Sequence, residues 1–309
     1  MPILRGGVEK SLPVQNDARQ RERPLKTVPI DNGNRVAAVA LLTKGFPEKS
    51  EAFWSRGLAL ISTHHERRNL GEIGQLLMKG DDAVGVLLTI RSRLPDPDRI
   101  VVNLSSWYVE PSSRWFAPRM LQMASSSPDE IFTDFTPSPE ACKLNERLGF
   151  STVTDYTLFY PLLPKAIGPA RARLRPLADV PPGALPTAMR DMLEDHALFG
   201  CMVAVLEADG RYHPLVFLKT VTKRLPSARL IYCEDRYLAQ RHISAIARHL
   251  LRKGRFAMTM AAPDEERDAG GFAVLKSAPI QVKGAWNPRF INETYSESVL
   301  LPPRVLGRS

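Results

Sequence analysis

The sequence predicts an α/β fold built on a mixed sheet, in two tandem copies. Three observations predict it. Short apolar runs rich in β-branched residues alternate with stretches of helical spacing along most of the chain. One such run, Ile100–Leu104, leads through Trp107-Tyr108-Val109 into a basic turn and a short helix, a unit suited to holding an anion. Finally, the segment Phe217–Pro226 echoes Val86–Pro95, and each copy is followed by a short polar gap and another strand.

Taken in order, residues 1–33 are polar, punctuated by proline and mixed in charge, and read as a flexible tail. The apolar run Arg35–Leu42 reads as a first strand, buried on both faces. A helix begins near Ser50, with Phe53, Trp54, Gly57, Leu58 and Ile61 at helical spacing. His64 and His65 close it. With no second ligand cluster, the pair fits a cap on the helix dipole better than a metal site, and no metal is expected. Gly74–Gly80 and Ala83–Arg91 flank a polar turn and form a hairpin.

The strand from Ile100 follows, then the turn Ser112–Arg119 and the helical pattern Met120–Ala124. A strand over Glu130–Phe135 leads to a helix start at Ser138 that closes on Gly149-Phe150, and Tyr156–Tyr160 is the last strand of the first copy. Residues 34–163 make that copy. Residues 164–186, rich in Pro, Ala and Arg, read as a linker, and residues 187–309 as a degenerate second copy. In the second copy Arg229–Tyr232 and Phe256–Met260 are strands, with a helix between them that places Ile243, Ile246, Ala247 and Leu250 on one face. Gly271-Phe272 repeats Gly149-Phe150, and Ser296–Leu301 reads as the closing strand.

Composition narrows the classes of function. At 309 residues, 44% hydrophobic and 24% charged, the chain is an ordinary globular composition for one large or two ordinary domains. No apolar run reaches membrane-spanning length, and Met1-Pro2-Ile3-Leu4-Arg5 lacks a signal-peptide core. Cys142, Cys201 and Cys233 show no paired spacing, so a reducing cytoplasm is expected, without disulfides or zinc. The net charge of +9 admits a polyphosphate ligand, but its scatter argues against dedicated nucleic-acid binding.

The turn carries the most chemistry. A helix start presents unpaired N–H groups and a partial positive charge, to which Arg114 and Arg119 add full charges, although solvated arginines at an ordinary turn look the same in sequence. Val109-Glu110-Pro111, Arg114-x-x-Ala117-x-Arg119, and the helix from Ala141 to Gly149-Phe150 together resemble the GNAT (Gcn5-related N-acyltransferase) family. The resemblance spans about residues 35–163. It departs from the family pattern at Ala117 and Arg119, where glycines are usual, and at Asn145, where a proton-donating tyrosine is frequent.

That resemblance implies an acyl-CoA N-acyltransferase-like fold, with acetyl-CoA or another acyl-CoA as co-substrate. It places CoA along residues 107–120, with Trp107, Tyr108, Val109, Arg114, Trp115, Phe116, Ala117, Arg119 and Met120 as its contacts, joined by Ser138 and Asn145. The acyl arm enters where the sheet splays after the fourth strand, and a main-chain N–H near Val109 holds the thioester carbonyl. Glu110 is the first candidate base, a position that also suits a solvated turn carboxylate before Pro111; Tyr108 and then Asp134 follow. Asn145 can hydrogen-bond the sulfur but cannot protonate it.

The second copy has lost the anion turn. Cys233-Glu234-Asp235-Arg236-Tyr237 offers no glycine and two carboxylates there, and its expected role is to wall a groove for the amine acceptor, whether a small molecule, a sugar or a peptidyl amine. Two other functions stay open on the sequence: a CoA-binding module without turnover, and an aminoacyl-tRNA-dependent transferase of similar tandem fold.

Overall fold

A computed structural model describes residues 24–93, 99–262 and 273–301. Most of the expected tail, Leu94-Pro95 of the echoed segment, and Gly271-Phe272 lie outside the described residues.

The first half runs β1 (Leu25–Pro29), α1 (Arg35–Gly45), α2 (Glu51–Arg68), β2 (Gly74–Lys79), β3 (Asp82–Arg93), β4 (Ile100–Val109), a 3-10 helix (Pro111–Phe116), α3 (Ala117–Ala124), β5 (Ile131–Asp134), α4 (Pro139–Arg147) and β6 (Ser151–Pro161). After α5 (Leu162–Ala166), the second half runs β7 (Arg173–Arg175), α6 (Thr187–Leu198), β8 (Met202–Ala208), β9 (Arg211–Thr222), β10 (Leu225–Cys233), α7 (Arg236–Arg241), α8 (Ile243–Arg252), β11 (Ala257–Ala262), β12 (Ala273–Lys283), β13 (Ile291–Asn292) and α9 (Glu297–Leu300).

One mixed sheet threads both halves in the order β1-β2-β3-β4-β5-β12-β6-β11-β10-β9-β8-β7. Equating β1–β6 with β7–β12 makes this order a palindrome, with the antiparallel pair β12·β6 at its centre. Each half therefore inserts its last long strand between two strands of the other. The parallel pairs β4·β5 and β10·β11 are counterparts, as are the hairpins β2·β3 and β8·β9. The mixed sheet and its two tandem copies are thus as expected.

Four local expectations are corrected. Arg35–Leu42 is not a strand but most of α1. Its alanines favour helix, and burial is one-sided: Ala38, Val39, Leu41 and Leu42 are inside while Val36 is 79% exposed. The Asp31 carboxylate accepts the N–H groups of Gly33 and Asn34 and turns the chain into that helix. β1 lies within residues 1–33 and β7 within residues 164–186, each at an outer edge of the sheet, where flanking prolines leave no inner ladder bond unmade. Ser296–Leu301 is not a closing strand, since it contains α9; closure falls to β12, whose Pro279 sits where the register against β6 slips. Lastly, His64 and His65 are buried and do not cap α2. His64 Nε2 donates to the Arg91 carbonyl, while His65 Nδ1 donates to the Gly71 carbonyl and its Nε2 accepts the Arg91 N–H.

The two halves share a core in which Leu42, Trp54 and Ile61 pack with Leu193, Val216, Tyr295 and Val299. Each such side chain contributes on the order of 1.5–3 kcal/mol by leaving water. A polar cluster clamps the same seam. Arg68 pairs with Asp195 at 2.7 Å and Asp191 at 3.0 Å, and the Tyr295 hydroxyl donates to Asp195 at 2.9 Å. Among the described residues, no helix is long and apolar enough to cross a membrane.

Candidate active site

The site begins with two irregularities of β4. On one side β4 pairs with β5 only from Val101 to Asn103, because β5 stops at Asp134. On the other, Trp107 lies opposite Leu87 and Leu104 opposite Thr89, so Ser105 and Ser106 together face Leu88 in a bulge. From Leu104 onward the main chain of β4 thus has no strand on the β5 side and a kink on the β3 side. Its N–H and C=O groups there are open to a ligand.

A cleft of about 240 Å³ fills the splay. Leu104, Ser105, Ser106 and Trp107 line it from β4, Leu121 from α3, Asp134 from β5, Ser138, Ala141 and Asn145 from α4, and Glu297 from α9. Ser138 caps α4 by accepting the Ala141 N–H, and Gly149, at φ +89°, ends that helix in the left-handed turn that lets Phe150 fold back onto the Asn145 carbonyl.

Three polar groups give the cleft its chemistry. Asn145 is fully buried and its Nδ2 donates to Asp134 Oδ2 at 3.0 Å and to Gln281 Oε1 of β12 at 2.9 Å. Burial, reinforced by the negative charge of Glu297, pushes the Asp134 carboxyl up to about 6, against the lowering effect of the Asn145 bond. Glu297 bridges the two lips, accepting from Ser105 Oγ at 2.9 Å and from Thr136 Oγ1, while its backbone N–H donates to Asn103 Oδ1 at 3.2 Å. Two buried polar atoms among the lining residues have no partner: the oxygen of the Asn145 amide and the Trp107 Nε1–H. One is an acceptor and the other a donor, which fits a ligand carrying amide groups such as a pantetheine arm.

The residues singled out in sequence are divided by this geometry. Trp107, Ser138, Asn145 and Asp134 line the cleft, whereas Glu110 is not among its lining residues and pairs with Lys44 at 2.6 Å. Tyr108 points to α1, where a Cβ on Gly45 would stand 2.5 Å from its ring. Val109 and Met120 are buried in the apolar cluster beneath α3. The turn itself is wound into the 3-10 helix: Ser113 N–H bonds Glu110 O, Ala117 N–H bonds Arg114 O, and Pro111 and Pro118 have no N–H. That leaves little of the expected main-chain cradle. Arg114 and Trp115 are exposed, Phe116 and Ala117 half-buried, and Arg119 is exposed and bonded to Gln122. Cys142 is held protonated by burial and by Asp134 and Glu146, in keeping with a structural thiol.

Sequence reasoning missed Ser105, Ser106, Thr136 and Glu297. The serines become special only through the bulge, and Glu297 reaches the cleft from 192 residues away in sequence. A second chamber of about 300 Å³ adjoins the cleft, sharing Phe46, Ser106, Thr136 and Glu297 with it.

The second half repeats the splay but fills it. β10 pairs with β11 only from Ser227 to Arg229, and past that point β13 pairs antiparallel with Tyr232 and Cys233. Glu293 completes the plug: its N–H bonds the Ile231 carbonyl and its carboxylate pairs with Arg229 at 2.9 Å. Arg236, 2% exposed, locks the preceding chain by bonding the carbonyls of Ala261 and Pro288.

No family model and no curated relative matches the sequence. Solved structures do match in backbone. A GCN5-related N-acetyltransferase from Anabaena variabilis ATCC 29413 aligns over 84% of this chain and 72% of its own, with a TM-score of 0.51 at 11% identity. A probable N-acyltransferase from Enterococcus faecalis V583 aligns over the same shares, 84% and 72%, with a TM-score of 0.50 at 7% identity. What these likenesses establish is a common fold, that of the GNAT acyltransferases.

Proposed function

We propose, from this shared fold and from the open splay of the first half, that the protein is an acyl-CoA-dependent N-acyltransferase acting on an amine bound between the two halves. The observation that carries the reading is the cleft itself: a space beside a bulged strand, lined by Asn145 and Trp107, each with a buried polar atom left unpartnered among the described residues, and by a carboxyl raised to about 6. The plug in the second half is a short extended segment bonded to the strand, which supports reading the open space as a seat for an extended arm.

An acyl-CoA supplies the activated acyl group as a thioester. The chain's own groups supply the rest. Main-chain N–H groups at the Ser105–Ser106 bulge are the donors for the thioester oxygen. Asp134 accepts the proton that the amine loses as its nitrogen bonds the carbonyl carbon, a task helped by basicity above that of an ordinary carboxylate. As the C–S bond breaks, the thiolate takes up a proton from Asp134, so thioester and amine become amide and thiol. Asn145 holds Asp134 in place and does not itself protonate the sulfur.

Calorimetric titration of CoA and acetyl-CoA, followed by thiol release across a panel of amines, tests this. We expect one micromolar site per chain and amine-dependent thiol release. Absence of binding at millimolar ligand overturns it. Binding without release for any amine instead favours a non-catalytic CoA-binding module, a reading supported by Asn145 standing where a proton-donating tyrosine is frequent.

A further inference from the structure

Building on the acyltransferase reading, we infer that the second chamber is the acceptor site, that Glu297 is the carboxylate holding the acceptor's ammonium, and that the acceptor is a primary amine on an apolar frame. The walls argue for the apolar frame. Phe46 and Trp54 stand with ring centroids 5.5 Å apart, Phe53 and Trp54 5.0 Å apart, and Leu301 closes one side. Against this wall a polyhydroxylated body would lose hydrogen bonds to water, and Phe46, Phe53 and Leu301 return none of them. At about 300 Å³ the chamber matches a small ligand.

Charge argues for the amine. Glu297 faces both spaces, and among the described residues no Lys or Arg pairs with it. Among the described residues its oxygens are met only by the hydroxyls of Ser105 and Thr136, which orient a carboxylate without neutralising it. Glu48 adds a second carboxylate to the lining, and among the described residues the one cation there, Lys49, is placed over the Phe53 ring at 5.2 Å. An ammonium seated against Glu297 lies at the junction with the cleft, where the thioester would be, so its nitrogen needs only to lose a proton to attack.

The segment bearing Glu297 is fixed more firmly than a surface helix requires. Tyr295 holds a left-handed backbone, φ +51°, unusual for a bulky side chain. It is kept there by stacking on His64 at 4.3 Å, by its hydroxyl on Asp195, and by its N–H donating to His196 Nε2 at 3.2 Å. All three partners lie in helices at the seam, so the second half delivers a carboxylate to the first half's site.

The test compares 2-phenylethylamine, a tripeptide with amino-terminal Phe, and glucosamine as acceptors, in the wild type and in Glu297→Gln. We expect the two apolar amines to be used at least tenfold better than glucosamine, their relative rates telling a free amine from a peptidyl one. Glu297→Gln, which preserves shape and the hydroxyl bonds, should raise the amine KM at least tenfold while leaving acetyl-CoA binding by calorimetry within twofold. Glucosamine as the best acceptor, or an unchanged amine KM in the variant, overturns this inference while the acyltransferase reading stands. Failure of the wild type to bind acetyl-CoA overturns both.

Discussion

In the first half β4 parts from β5 after Asn103 and leaves an open cleft; in the second, β10 parts from β11 after Arg229 and the space is taken by β13. The registers make the counterparts explicit. Thr133 pairs with Asn103 as Thr259 pairs with Arg229, so the next residues, Asp134 and Met260, correspond. Where the splay is open, a half-buried carboxyl sits at its base; where it is plugged, a buried apolar side chain does. One geometry is thus left open in the first half and closed as a structural joint in the second. Which of the two it becomes is decided by a few side chains and by where β13 and α9 are placed.

The sharpest way to break that comparison is to remove the carboxyl. Asp134→Asn should lower turnover by about 10²–10⁴-fold with acetyl-CoA affinity within twofold, while Met260→Leu in the plugged half should leave turnover within twofold; steady-state kinetics on both variants checks it. Next in size is the clamp at the seam. Asp195→Ala strips the buried partner of Arg68 and Tyr295 and should cost about 2–4 kcal/mol in a urea melt, with both halves lost in one transition because they share a sheet.

Titration sharpens the comparison further. Asp134, raised from 3.8 to about 6, binds more protons folded than unfolded, so its contribution is present at low pH and is lost as pH rises through about 6. His65 and His196, depressed from 6.5 to about 4 by burial, act the other way: stability present above 6.5 is lost as pH falls toward 4. Thermal melts across pH 4–8 should therefore show an acid-side fall in the wild type. The Asp134→Asn variant should be more stable by about 1–2 kcal/mol at pH 7.5, where a half-buried, poorly solvated charge has been removed. Smallest is Arg114→Ala, expected to weaken acetyl-CoA binding about three- to tenfold in calorimetry, as for one exposed charge on a phosphate.

Much of the first half was legible in sequence because its signals are local. The hairpin around Lys79–Asp82, the Ser50 and Ser138 caps and the Gly149 helix stop each depend on a few adjacent residues. Arg35–Leu42 misled because a run that is apolar throughout carries no period, and its alanines, not its valines, decide the outcome. β12 was hidden by Pro279 and by Lys276 and Ser277, which suit a strand only because the register slips there. Of the residues singled out in sequence, Trp107, Asp134, Ser138 and Asn145 line the cleft, because they lie at or near the ends of elements in the splayed region. Glu110 drew attention by position alone, and Lys44, on a helix read as a strand, was not recognised as its partner. No local pattern marks Glu297, whose role comes entirely from the packing of a distant segment.

The exchange of β6 and β12 also bears on how the protein is made. When the ribosome has finished β6, the neighbour that separates it from β5 is still more than a hundred residues from being translated. At bacterial or eukaryotic elongation rates that interval is on the order of ten seconds. Throughout it, β5 and β6 present unsatisfied edges of the kind that recruit other strands. A nascent chain of this design needs shielding in that window, and a gene split between the halves would yield two products that must find each other before either can finish its sheet.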